Sequence, residues 1–144
     1  MPTYIIFDLE FMVVRKHQHL ADIIEIGAIK MTEQEGRLVM TDVFHSYVKP
    51  SRQYKLAPET TPFTGITQDQ VDQAPSFPEA LKAFQEWIGE APYYLCAHGG
   101  WTINISSSSI AGIIRSPWIG CKIITTFSWR LLDFTNRIID RGLD

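Results

Sequence analysis

The sequence lacks the features that mark membrane-spanning, secreted or disordered proteins. No apolar run approaches the roughly 18 residues that a membrane span needs, and the first residues include neither the basic segment nor the cleavage site of a secretory signal. Hydrophobic residues make up 45% and charged residues 20% of the chain, as in an ordinary globular protein. We therefore expect one domain over residues 1–144, located in the cytoplasm and without a membrane partner.

Cysteine is scarce, and the net charge is small. The two cysteines, Cys96 and Cys121, are too few for a disulfide scaffold, and we expect both to be free thiols buried in the core. The formal net charge of −3 gives the chain no general attraction for nucleic acid. Binding of nucleic acid would therefore need a local site or metal ions.

The last third of the chain lacks glutamate and glutamine. Residues 1–98 contain 15 residues of these two types and residues 99–144 contain none, while serine fills the four positions from Ser106 to Ser109. Helix-forming signals fade in the same region, because Glu and Gln are good helix formers and Ser is not. No regular secondary structure is predicted beyond residue 99.

Hydrophobic periodicity predicts three consecutive strands at the start of the chain. The runs are Tyr4–Phe7, Asp22–Met31 and Val39–Val48, and the second of them is rich in β-branched residues. A turn signal at Glu35–Gly36 separates the second run from the third. The three strands are therefore expected to form an antiparallel meander.

Proline and capping signals predict where helices lie after the meander. Pro58 and Pro62 exclude one long helix between residues 56 and 66, so short turns or a broken helix are expected there. Ser76-Phe-Pro-Glu79 is a capping box, and apolar residues follow it at helical spacing up to Ile88. A fourth strand, Tyr93–Ala97, is predicted to pack beneath this helix.

Two carboxylates end the first predicted strand. Residues two apart in a strand project from the same face, so Asp8 and Glu10 should lie side by side. Such a pair repels itself unless a cation neutralises it, and hard oxygen ligands suit Mg²⁺ or Mn²⁺. Two such ions can stabilise the attacking and leaving oxygens of a phosphodiester displacement. Asp8 and Glu10 are therefore candidate metal ligands and catalytic residues; the alternative is a pair of solvated acids at an exposed strand end.

Five segments occur in a characteristic order along the first two thirds of the chain. They are Ile5–Phe11, Asp22–Ile29, Phe44–Pro50, Phe63–Thr67 and Ser76–Leu81. Together they resemble the DEDD family of 3′ to 5′ exonucleases, of the DEDDh type. The branch they most resemble contains the inhibitor of the KinA pathway to sporulation and the histone-mRNA exonucleases, and the match covers about residues 3–98.

The resemblance implies a fold and an activity. The implied fold is α/β, an RNase H-like mixed sheet flanked by helices. The implied enzyme removes nucleotides from the 3′ end of single-stranded RNA or DNA by two-metal hydrolysis with Mg²⁺ or Mn²⁺. On that resemblance Asp8 and Glu10 are the metal ligands.

The resemblance also implies residues that bind the substrate. Phe11, Phe63, Gly65 and Ile66 match segments that line the pocket for the terminal nucleotide in the family, where a base can stack on an aromatic ring. Core packing is the alternative role for Phe63. Glu25, between two isoleucines of the second predicted strand, is expected to be an exposed structural residue.

The sequence departs from the family after residue 98. The second acidic motif should place an aspartate near Thr102, but neither Thr102 nor Ile103 is acidic. The third motif needs a histidine base followed by an aspartate, and no histidine comes after His98, which we interpret as a structural residue. With half of the carboxylates and the base missing, turnover is expected to be severely impaired.

Three interpretations of this departure remain open. Residues 99–144 are divergent or come from a shifted reading frame, in a protein that otherwise descends from an exonuclease. Alternatively, the chain is a catalytically silent paralogue that binds nucleic acid or a regulatory protein. A third interpretation is a purely structural interaction domain. Incubation with labelled single-stranded RNA and Mn²⁺ separates them.

Overall fold

The computed structural model describes residues 3–15 and 21–97. Predicted features at Cys121, His98 and Thr102, and the whole of residues 99–144, lie outside the described residues. No helix within the described ranges is long and apolar enough to span a membrane. The elements in chain order are β1 (Thr3–Phe11), β2 (Ile23–Gln34), β3 (Arg37–Tyr47), α1 (Thr60–Thr64), α2 (Gln68–Asp72), α3 (Phe77–Ile88) and β4 (Tyr93–Ala97).

The four strands form one mixed sheet in the order β3-β2-β1-β4. The first three strands pair antiparallel, which confirms the predicted meander. β4 pairs parallel to β1, with Ile5 opposite Leu95, because the helices between β3 and β4 carry the chain back across the sheet. β1 extends well beyond its apolar run, since its ladder with β2 continues through Asp8 and Glu10.

The turn between β2 and β3 occupies the two residues that the sequence indicates. Glu35 and Gly36 both have positive φ, at 51° and 75°, and Gln34 pairs with Arg37 across the turn. Positive φ at both central residues is the mark of the type I′ turn, whose twist matches that of the strands it joins. This turn sets the register from which the β2–β3 ladder begins.

Helix α3 covers one face of the sheet and forms the main core with it. Its capping box is present, with the Glu79 carboxylate accepting from the Ser76 backbone N–H at 2.9 Å. Ala80 and Phe84 are fully buried, and they pack in one cluster with residues of β1, β2 and β4. The prediction that β4 lies beneath this helix is confirmed, because Leu95 belongs to the same cluster.

The C-terminal end of α3 is anchored to the sheet by polar contacts. The Lys30 ammonium donates to the Trp87 carbonyl at 2.8 Å and lies 4.7 Å from the centre of the Trp87 ring. The Trp87 indole in turn donates to the Asp42 carboxylate at 2.9 Å. These contacts, from β2 and β3, hold the helix in one orientation over the core.

A smaller cluster supports the segments beside the end of β1. Met12, Ile24, Ile66 and Val71 are buried together there. The helical region above it is broken as the prolines predict, into the five-residue helices α1 and α2. Gly65 ends α1 with φ of 78°, a left-handed conformation that glycine adopts without strain.

The buried thiol of Cys96 confirms the part of the cysteine prediction that falls within the described residues. Cys96 is 2% exposed, and it forms no disulfide bond among the described residues. It clusters with Ile6 and Ile29 on the face of the sheet opposite α3. Its position in the sheet is therefore that of an ordinary core residue.

Candidate functional site

Asp8 and Glu10 lie near the end of β1 on one face of the sheet. Ile5 and Phe7 point toward α3 and are 0% and 4% exposed. The alternation of a strand therefore turns Asp8 and Glu10 to the opposite face, where both are partly buried. The structure thus brings the two predicted ligands together on the face that the sequence indicates.

The pairing of the strands surrounds this acidic pair with residues of β2 and β3. Gly27 lies beside Asp8 and Glu25 lies beside Glu10, and on the next strand His45 lies beside Gly27. The ring of His45 lies 2.6 Å from a carboxylate oxygen of Glu25 and packs edge-on against Tyr47 at 4.7 Å. We call Asp8, Glu10, Glu25 and His45 the acidic end of the sheet.

Glu25 is more enclosed than the sequence predicts. Its side chain is 19% exposed and contacts His45, so the expectation of a solvent-exposed residue is wrong. The reason is that β3 covers the outer side of β2 and places the imidazole against the carboxylate. Sequence reasoning found no signal for His45, and it indicated only a structural role for Glu25, because the Glu10–Glu25 and Glu25–His45 contacts depend on strand pairing.

The carboxyl group of Glu10 is strongly perturbed by this environment. Partial burial, and then the charges of Asp8 and Glu25, raise the pKa of Glu10 from 4.5 to about 7. Burial disfavours the charged form and neighbouring carboxylates repel it. The charge of a cation bound between Asp8 and Glu10 would offset both effects by stabilising the ionised form of Glu10.

The donor set at the acidic end suits one hard cation. No group of three or more His, Cys, Asp or Glu side chains within residues 3–15 and 21–97 is arranged to hold a metal ion. Mg²⁺, however, is often bound by only one or two carboxylates, with water and substrate phosphates completing its six ligands. Asp8 and Glu10 supply two carboxylates on one face of the sheet. Ligands for the second predicted ion are not found among the described residues.

The four residues predicted to bind substrate lie in two segments near this end. Phe11 ends β1 and is 37% exposed, whereas Phe63 on α1 is 80% exposed. The exposure of Phe63 excludes core packing as its role. Gly65 is exposed at the end of α1, but Ile66 is 2% exposed. Ile66 therefore supports the segment from the core side, and it offers no side-chain surface to a ligand.

Comparison with known proteins identifies relatives among exonucleases. The chain is 32% identical over 93 residues to the 3′-5′ exoribonuclease 1 of Rattus norvegicus, a match that covers 60% of this chain and 26% of the relative. It is 31% identical over 87 residues to the human ERI1 exoribonuclease 3, covering 60% of this chain and 25% of that protein. The chain thus spans about a quarter of the length of these relatives.

Solved structures show the same fold. The nuclease domain of 3′hExo, a DEDDh family member bound to rAMP, matches with a TM-score of 0.64 and 28% identity, over 78% of this chain and 60% of that one. The mixed sheet and its helices therefore have the RNase H-like fold of these nucleases. The profile of the exonuclease family RNase_T matches residues 5–98, which is more than half of the chain. The chain belongs to the RNase_T exonuclease family, within the DEDD group of 3′–5′ exonucleases.

Proposed function

We propose that the chain is a metal-dependent exonuclease that removes nucleotides from the 3′ end of single-stranded nucleic acid. The observation that carries this proposal is the placement of Asp8 and Glu10 on one face at the end of β1, inside the segment that matches the exonuclease family. Burial and the repulsion between neighbouring carboxylates raise the pKa of Glu10, and the charge of a divalent cation counteracts both. A structural role alone would favour neutral residues in their place.

Asp8 and Glu10 are proposed to hold Mg²⁺ or Mn²⁺. A bound divalent cation supplies Lewis-acid polarisation of the phosphate and lowers the pKa of the attacking water. The partial burial of Glu10 excludes bulk water from one side of the site, which strengthens the electrostatic attraction of the carboxylates for a cation. Near neutral pH the raised pKa of Glu10 makes cation binding compete with a proton.

Phe11 and Phe63 are proposed to contact the base of the terminal nucleotide. Both rings are exposed although aromatic side chains are normally buried, and each lies in a segment next to the acidic end. Stacking of a base on an aromatic face contributes on the order of 1–3 kcal/mol and tolerates any base. Gly65 permits close approach of a ligand to the α1 backbone, since it has no side chain.

The nature of the substrate is proposed from the relatives. The relatives are called exoribonucleases, and one structural neighbour concerns recognition of the 3′ end of a histone mRNA stem-loop by a 3′-exonuclease. Single-stranded RNA is therefore the substrate to test first. A DNA strand of the same sequence is the direct comparison, because a preference for RNA depends on contacts to the 2′-hydroxyl.

An exonuclease assay tests the proposal. The full chain is incubated with 5′-labelled single-stranded RNA in Mn²⁺ or Mg²⁺. Stepwise shortening from the 3′ end is expected, at a low rate because the later acidic motifs and the histidine base are missing from the sequence. Asp8→Asn should reduce the rate by about 100-fold or more, because it removes a charged ligand without changing the shape of the side chain. The matched control is Asp72→Asn, which changes an exposed aspartate of α2 and should leave the rate unchanged.

Two outcomes would contradict the exonuclease proposal. RNA that is bound but never shortened, with equal affinity for wild type and Asp8→Asn, would support the silent paralogue. Shortening that persists after chelation of divalent ions would show that Asp8 and Glu10 do not act through a metal. The wild-type rate in the same assay shows whether the chain is active although neither Thr102 nor Ile103 is acidic; both residues lie outside the described residues.

A further inference from the structure

One buried hydroxyl group connects the segment after the acidic pair to helix α1. The backbone N–H of Val13 donates to the hydroxyl oxygen of Thr60 at 3.1 Å. Thr60 is 0% exposed and is the buried polar residue of the described ranges. The bond is therefore buried at Thr60 and half-buried at Val13, and its loss is costly because an amide on the protein-facing side is left without its partner.

The hydroxyl groups of Thr61 and Thr64 form hydrogen bonds within α1 and the residues that follow it. The Thr61 hydroxyl donates to the Ile66 carbonyl at 2.7 Å, and the Thr64 hydroxyl donates to the Thr60 carbonyl at 2.8 Å. The Ile66 N–H donates to the Thr64 hydroxyl at 3.1 Å. These bonds shape residues 60–66, but they make no connection to β1.

A second polar contact between the two segments lies at the surface. Arg15 forms an ion pair with Glu59, in which the side chains are 85% and 40% exposed. An ion pair between side chains as exposed as these contributes little to stability, because water and salt screen the two charges. The Thr60 hydrogen bond is therefore the polar contact that holds the segment after β1 in a fixed position relative to α1.

The two connected segments carry the exposed aromatic rings of the proposed nucleotide site. Phe11 comes two residues before Val13, and Phe63 comes three residues after Thr60, less than one turn of helix. We infer that Thr60 is a positioning residue that sets the separation of Phe11 and Phe63 and thereby the affinity for the terminal nucleotide. This inference rests on the proposed function.

Two substitutions at Thr60 and one at its neighbour test the inference. Thr60→Val keeps the shape and removes the hydroxyl, Thr60→Ser keeps the hydroxyl, and Thr61→Val makes the same change one residue away without touching the connection to β1. KM and kcat are measured for single-stranded RNA with Mn²⁺. The dissociation constant of 5′-AMP with Mn²⁺ is measured by calorimetry.

A positioning role predicts a change in affinity. Thr60→Val should raise KM and the dissociation constant of 5′-AMP by about tenfold, the size of change expected for one lost buried hydrogen bond. The value of kcat should change by less than about twofold, because the acidic pair is untouched. Thr60→Ser should restore both constants to within about twofold of wild type. Thr61→Val should change them much less than Thr60→Val does, because Thr61 is exposed and water can replace its hydrogen bond.

Other outcomes would overturn the inference, alone or together with the proposed function. A lower melting temperature of Thr60→Val with unchanged KM and unchanged 5′-AMP affinity would show a merely structural role. Failure of Thr60→Ser to restore affinity would also overturn it. A wild-type protein that neither shortens RNA nor binds 5′-AMP overturns the proposed function. In that case, hydrogen exchange at the backbone amides of residues 11–15 tests the Val13–Thr60 connection by itself. If these amides exchange no faster in Thr60→Val than in Thr61→Val, the inference is overturned.

Discussion

The two halves of β1 differ in chemistry although they belong to one strand and one ladder. In the first half Ile5 and Phe7 are almost fully buried beneath α3. In the second half Asp8 and Glu10 are partly exposed acids on the opposite face. The first half is stabilised by burial, whereas the second contains a group that burial destabilises. The apolar half therefore supplies the stability that holds the acidic half in place.

The largest expected effect concerns the apolar half. Phe84 of α3 is fully buried, and its ring centre lies 6.3 Å from that of Phe7 and 5.2 Å from that of Phe44. Phe84→Ala should lower the free energy of unfolding by about 3–5 kcal/mol, because it leaves a cavity beneath the helix. Urea unfolding measures this loss.

The matched control for Phe84→Ala is a change on the exposed side of the same helix. Glu86 of α3 is exposed, so Glu86→Ala should change the free energy of unfolding by less than about 0.5 kcal/mol. A loss below about 1 kcal/mol for Phe84→Ala would show that the stability of the sheet does not come from α3.

The next effect concerns the acidic half and depends on pH. Since the pKa of Glu10 is raised from 4.5 to about 7, the folded state holds a proton between these pH values that the unfolded state releases. Stability should therefore fall as the pH rises through this range without divalent ions. Glu10→Gln removes the titration and should be more stable than wild type at about pH 8, on the order of 1 kcal/mol after solvent screening. Thermal unfolding across the pH range measures the difference.

Divalent ions and a control substitution sharpen this pH prediction. Mn²⁺ should raise the melting temperature of wild type above neutral pH and have little effect on Glu10→Gln, because the ion binds the ionised carboxylate. Glu86→Gln should keep the pH dependence of wild type. Equal pH dependence in wild type and Glu10→Gln would show that Glu10 titrates normally in the folded protein.

The smallest effect concerns the neighbour of Glu10 on β2. The charge of Glu25 is the third cause of the raised pKa of Glu10, after burial and Asp8. Glu25→Gln should therefore lower the pKa of Glu10 by a fraction of a pH unit, which a carboxyl NMR titration measures. Glu33→Gln, on an exposed part of β2, is the control. An unchanged pKa of Glu10 in Glu25→Gln would show that the two carboxylates do not interact.

The elements and the acidic pair could be predicted because their signals are local. A strand has a period of two residues, so the shared face of Asp8 and Glu10 follows from their spacing alone. The Glu35–Gly36 turn and the Ser76 capping box are likewise complete within four residues. The substrate-binding roles proposed for Phe11 and Phe63 came only from resemblance, since no local pattern separates an exposed aromatic ring from a core one.

The position of His45 shows what such signals leave open. An uninterrupted ladder starting from Gln34 opposite Arg37 would pair Ile26 with His45 and turn the imidazole toward α3. A bulge between Lys30 and Met31 shifts the register by one residue, so that His45 pairs with Gly27 instead. A shift of one residue moves every later side chain of the strand to the other face. His45 thereby reaches Glu25 at the acidic end.

The order of the elements, the apolar face of α3 and the common face of Asp8 and Glu10 follow from the sequence alone, because each depends on neighbours a few residues apart. Three features are visible only in the folded chain: Glu25 lies beside Glu10 and contacts His45, the pKa of Glu10 is raised to about 7, and Thr60 connects α1 to the segment after β1. These features depend on strand register and burial, which arise from contacts between residues distant in the chain.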